Sequence, residues 1–366
     1  MSDGIYESDK DEYRRSVSQK VMLLAVFVVL LIIAVVGSCA LGTGYDFEYT
    51  FEILIQHIQG ETYPHRSEDW WADYYIFNNL FPQVVMAVIA GAGLALAGTV
   101  MQSVMENPLA DAYTTGIASG AMLGAVTSII MGFSFSTVSA SLGIISNAFI
   151  GSMIPAVLMI VMIRRIGTSP STVILIGTAL SFFFNSVVTL LMVTSGTEQI
   201  QDAYLWQIGS VAGAHWEDIP LMLTMVIIGS ILVQISYKSL NVMSLGERTA
   251  KSLGLNVSQF RMLCILLISL LVASIISYTG IIGFIGLVAP HIVRFLLGND
   301  SRFVIPGSIV LGSLILVLAD LASRSLADYA DVPIGVIMSV IGAPVFLYLI
   351  VSKKSKKEVF RWPAYC

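Results

Sequence analysis

The sequence predicts an all-α polytopic membrane protein of ten transmembrane helices, organised as a single domain over residues 21–351. Composition is the first reason: apolar residues form 56% of the chain and charged ones 12%, where a soluble domain carries about a quarter charged. The second is that ten apolar runs are long enough to cross about 30 Å of hydrocarbon as helices. The third is how the 19 lysines and arginines sort once those runs are taken as spans: seventeen fall on one side and two on the other. That bias marks cytoplasmic loops.

An acidic arm, residues 1–20, leads into the first span at 21–41 and places Lys10, Arg14, Arg15 and Lys20 inside. This span is about twenty residues long and lacks a clear small-residue cleavage site, so a retained helix is expected rather than a cleaved signal. The outer segment 42–80 sets Asp46, Glu48, Glu52, Glu61, Glu68, Asp69 and Asp73 against Arg66. Trp70, Trp71, Tyr74 and Tyr75 close it and read as anchors at the membrane surface. After the span 83–101, Asn107 and Pro108 make a turn, and Asp111 with Tyr113 opens the span 113–132.

The span 144–163 ends on Arg164 and Arg165 inside. The next, 172–193, carries Thr178, Ser181, Asn185, Ser186 and Thr189 at spacings of three and four, so one face of a lipid-length helix is polar. Helix–helix hydrogen bonding and lining of a path for a bulky polar solute are the two readings of that face. The outer stretch 194–218 follows, then the span 219–236. Two runs, 260–279 and 281–297, meet at Ser277, Tyr278, Thr279 and Gly280 without a charged loop. As one helix they would reach about 57 Å, far more than one crossing, so an outside turn at Gly280 is expected. Arg294 and Arg302 then lie inside, and the spans 305–325 and 333–351 lead to a cytoplasmic tail, 352–366, with Lys353, Lys354, Lys356, Lys357 and Arg361. Arg324 joins Arg66 outside. Asp320 stands one helical turn before Arg324, a spacing suited to pairing.

The inner segment 237–259, which also carries Lys238 just ahead of Arg261 in the following span, differs from the other loops. Leu245, Thr249 and Leu253 recur at i, i+4 and i+8, Glu247, Arg248 and Lys251 lie mostly on other faces, and Gly246 and Gly254 bracket about two turns. A short amphipathic helix on the cytoplasmic face is the shape that receives a push from a soluble partner. The GERTAKS run is not a phosphate loop, because Ala250 stands where that motif needs glycine before Lys251 and no strand precedes it. Cys39, Cys264 and Cys366 have neither CxxC spacing nor a disulfide framework. His291 and Arg294 read as an inner-face cap rather than a proton relay, since no acidic partner follows within a turn.

Three long stretches carry a resemblance: AGAGLALAGTVMQSVMENPLADAYTTGIASGA at 90–121, SLGERTAKSLGLNV at 244–257, and GFIGLVAPHIVRFLLGNDSRFVIPGSIVLGSLILVLADLASR at 283–324 with DVPIGVIMSVIGAPVFLYLI at 331–350. In order and spacing, these resemble the FecCD-type permeases, membrane subunits of ABC importers for iron–siderophore complexes, haem and cobalamin. The resemblance implies ten helices per subunit, a second permease subunit forming a homodimer, an ATPase dimer holding ATP and magnesium, and an external binding protein. No cofactor is expected on this chain. It also implies that Leu245, Gly246, Glu247, Arg248, Ala250, Lys251, Leu253 and Gly254 couple to the ATPase, and favours the path reading of the polar face at 178–189. The segment 204–216, with Trp206, Gly209, Ser210 and Trp216, resembles the family's outer gate.

One departure concerns docking of the binding protein. Family members commonly open the second span with an Arg-x-Pro-Arg-like run, and here it reads Leu80, Phe81, Pro82, Gln83. Arg66 and Arg324 are the remaining outer cations, so both are expected to serve docking. The chain is therefore expected to be a transport subunit in the cytoplasmic membrane with both termini inside, partnering lipid and protein but no nucleic acid. A secondary transporter would need a membrane-buried acid dispensable in an ABC system, and an intramembrane enzyme a nucleophile or metal constellation that four scattered histidines do not supply.

Overall fold

The computed structural model describes residues 2–41, 45–136, 138–326 and 332–356, and every element among them is helical. All ten apolar runs are helices, with additional short helices between them. Helix α1, Ser2–Ala40, carries the N-terminal arm and the first span as one rod, since no proline interrupts it. After it, α2, Phe47–Ile58, packs on α3, Glu68–Tyr75. Ser67 caps α3 by accepting from the Trp70 amide at 3.1 Å.

A π-helical turn at 76–80 joins α3 to α4, Phe81–Val104. Pro82 lacks the amide that would bond the carbonyl of residue 78, and the Phe81 amide reaches back to Ile76 instead. Glu68–Val104 is thus one continuous helix of 37 residues. The second span, placed at 83–101 by hydropathy, is extended at its N-terminal end by about four turns that carry too many polar residues to register as apolar.

A 3₁₀ turn at 112–115 precedes α5, Ile117–Met131, which packs on α6, Ala140–Ile166, and α7, Pro170–Val193. The outer stretch contains α8, Thr197–Ile208. Helix α9, Ile219–Ile235, bends by 63° into α10, Tyr237–Met243, and α11, Glu247–Ser252, follows. Helices α12, Val257–Thr279, and α13, Ile285–Leu297, part at Gly280, whose φ of 66° closes α12. Helix α13 then lies against α4 and α14, Ser301–Ser325, and α15, Ile334–Lys356, completes the described chain.

Helix α4 is the axis of the fold: 89% of its apolar window is buried within the protein, against 17% for α1 and 28% for α7. Its surroundings require small residues. A Cβ at Gly91 would strike the backbone of Gly312, and one at Gly98 the backbone of Gly286, so glycine permits the close approach of α14 and α13. Among the described residues, six helices are long and apolar enough to cross a membrane, seven if the bent α9–α10 pair is one span. Helices α5, α13 and the described part of α15 are shorter apolar helices, so length alone does not reach the expected ten crossings.

Candidate coupling surface and translocation path

The inner segment folds as its pattern predicts. Gly246, at φ 99°, and Gly254, at φ 85°, stand on either side of α11 in backbone conformations that side-chain-bearing residues rarely adopt. Ala250 is fully buried, while Leu245 is 63% exposed and Leu253 62%. Thr249, Arg248 and Lys251 are exposed as well, so an apolar-edged face stands unpartnered beside charged groups. A cavity of about 220 Å³ opens next to it, lined by Lys238, Ser239, Val242, Leu253, Gly254 and Leu255.

Glu247 accepts from Lys251 Nζ at 2.7 Å, one turn away, and from Arg261 Nη1 at 3.1 Å. The lysine hydrogen bond first, and the arginine second, hold its carboxyl below the usual carboxylate range against partial burial. Arg261 is fully buried at the start of α12. The sequence shows it as one basic residue near the start of an apolar run, and the fold brings Glu106 and Glu247 to it.

On α7, Thr178, Asn185, Ser186 and Thr189 are exposed and Ser181 is half-buried. The hydroxyls of Thr178, Ser186 and Thr189 donate to carbonyls one turn back, at 2.8, 2.8 and 2.9 Å, rather than to a neighbouring helix. Phe182 and Phe183 share the exposed surface.

The four residues of the outer segment 204–216 divide into two settings. Trp206, Gly209 and Ser210 sit against the 279–282 turn: the Ser210 amide donates to Thr279 at 2.8 Å, and a Cβ at Gly209 would meet the Ile281 carbonyl. Trp216 is instead exposed and donates through Nε1 to the Phe77 carbonyl at 2.8 Å, tying the stretch to the π turn.

Arg324 requires a correction. It is buried, and pairs with Asp320 Oδ2 at 3.0 Å while donating to the carbonyls of Ser38 and Leu41, each at 3.1 Å. Gln83 Nε2 donates to the other Asp320 oxygen at 2.7 Å. The guanidinium therefore holds the end of α1 to α14 and does not present its charge on the outer surface. Arg66 is exposed, in a left-handed backbone conformation. Around it, His57 contacts Asp73 at 2.6 Å and Tyr49 donates to Asp69 at 2.6 Å, so α2 and α3 form an outer cap. Trp71 and Tyr74 are exposed there, whereas Trp70 and Tyr75 are half-buried.

The chain is similar in sequence and fold to known transport permeases. A hemin transport system permease protein of Yersinia pestis is 31% identical, the match covering 92% of this chain and 97% of that protein. A Fe(3+)-citrate import system permease protein of Bacillus subtilis is 33% identical over 91% of this chain and 96% of its own. A cobalamin import system permease protein of Halobacterium salinarum is 36% identical over 74% and 71% respectively. A solved metal-chelate type ABC transporter in an inward-facing conformation superposes with a TM-score of 0.77 at 29% identity, covering 90% of this chain and 99% of that one. The FecCD transport family itself matches residues 19–352, and the chain belongs to that family of ABC transporter permease subunits, multi-pass membrane components of transport rather than enzymes.

Proposed function

We propose that this chain is the permease of a binding-protein-dependent importer that moves an iron chelate of siderophore type across the cytoplasmic membrane, driven by ATP hydrolysed with magnesium on separate ATPase subunits. The carrying observation is α11, a glycine-bracketed helix with Leu245 and Leu253 exposed on the face that bears the excess of lysine and arginine. In this reading ten helices cross the membrane, both termini are cytoplasmic, two copies form the permease, and α7 faces the path between them. Residues 206–216 form the outer gate, and the cap of α2 and α3, with Arg66, meets the binding protein. Cobalamin or haem is the second cargo reading, favoured by the similarity to permeases for each.

Leu253→Asp tests the reading. It sets a charge in the interface that α11 would bury, so the variant should insert normally yet lose co-purification with the ATPase and substrate uptake. Wild-type ATPase binding and uptake in that variant would remove α11 from the coupling role.

A further inference from the structure

Arg261 does more than balance charge. Its side chain is fully buried, and from α12 it reaches three other segments at once. Nε donates to the Val104 carbonyl at the end of α4, at 3.0 Å. Nη1 donates to the Thr168 carbonyl, in the link between α6 and α7, and to Glu247 of α11. Nη2 lies 3.5 Å from Glu106 Oε1 and, among the described residues, has no hydrogen-bond partner, although it is buried.

Glu106 is itself unusual. It has φ 50°, and the Asn107 amide bonds back to the Gln102 carbonyl at 3.1 Å, so Glu106 occupies the left-handed position that closes a helix. Glycine or asparagine normally fills that position, because a longer side chain is strained there. A glutamate that bears this strain at the end of α4, aimed at an incompletely bonded guanidinium, is explained by the contact it makes. A buried cation held between two carboxylates also cannot follow one and abandon the other without leaving charge unpaired in a dry site.

The geometry points to Arg261 as a positioning residue that ties α11 to the end of α4 and to the α6–α7 link, so that a displacement of α11 by the ATPase moves those segments with it. This rests on the reading of α11 as the ATPase-docking helix. Movement of the 105–107 turn toward α12 would complete the long Glu106–Nη2 contact, giving the cluster two discrete arrangements. Lysine at 261 keeps the charge but presents one point donor group in place of the planar fork that serves three acceptors on three separate segments.

The experiment uses the full chain assembled with its ATPase in proteoliposomes. Thr178→Cys on α7 is labelled by a membrane-impermeant maleimide with and without ATP, after subtraction of labelling of the chain lacking that cysteine. In the otherwise unmodified chain, ATP should change the labelling rate. With Arg261→Gln the ATPase should still co-purify and hydrolyse ATP, but the ATP-dependent change at residue 178 should shrink at least about tenfold, with Arg261→Lys intermediate. Should Arg261→Gln fail to insert, Glu106→Gln, at a surface turn, decides alone and should reduce the same response several-fold. An undiminished response in whichever of these variants inserts and binds the ATPase overturns the proposal. Loss of ATPase binding in an Arg261→Gln variant that inserts overturns it too, because Arg261 would then shape the docking face itself. If the unmodified chain neither binds the ATPase nor responds to ATP, the importer reading fails, and this inference with it.

Discussion

At the scale of single residues, α14 carries near its C-terminal end a carboxylate set between an arginine and an amide. Asp320 is fully buried between Arg324 and Gln83. Removing one member of such a buried pair leaves a charge without compensation, at a cost of about 3–5 kcal/mol. Arg324→Gln should therefore lower the thermal midpoint of the detergent-solubilised protein sharply, while affinity for the binding protein, measured at low and high salt, changes only a few-fold. Gln83→Arg should not strengthen docking, because position 83 is buried against Asp320 and a second cation there competes with Arg324. At the inner end, Glu247 is held below the usual carboxylate range by Lys251 and then Arg261. Its ion pairs are complete above that range and are lost as pH falls through the lowered value. ATPase association, followed by co-purification across a pH series, should accordingly weaken in acid and stay level from neutral pH upward.

At the scale of elements, backbone proximity decides tolerance. The Gly98–Gly286 contact brings α4 and α13 so close that a Cβ has no room. Gly98→Val should force the two helices apart and cost at least the 1–3 kcal/mol typical of overpacking, read as reduced insertion and a lower thermal midpoint; an unchanged midpoint would show that α13 can retreat. The elements also show what the sequence makes legible. Apolar runs of twenty residues, the break at Gly280 and the glycine-bracketed α11 were readable because each depends on neighbours in the chain. The outward extension of α4 was not, since residues 68–80 are too polar to register as a span and their helicity is supported by a cap at Ser67 and by contacts with α2. Nor were the partners of Arg324 and Arg261, which come from Ser38 and Leu41, or from Val104 and Thr168, far away in sequence. Periodicity carries no information on such pairs.

At the scale of the whole molecule, the charge balance gives an orientation to test. A fluorescent reporter fused after Cys366 should fold and emit in the cytoplasm, and a cysteine at Arg66 should react with an impermeant reagent in intact cells. Reaction only after cell lysis would reverse the topology. The continuous helix from Glu68 to Val104 has a mechanical consequence. At 1.5 Å per residue its 37 residues reach about 55 Å, well beyond the bilayer core, with the outer cap at one end and the Glu106 turn just past the other. Such a rod acts as a lever with its fulcrum in the packed middle: a tilt of about 5° carries each tip roughly 2.4 Å in opposite directions. A binding protein seated on the cap and an ATPase pressing on the inner loops would thus work the same beam, and thermodynamic reciprocity requires each to alter the other's affinity by an equal factor.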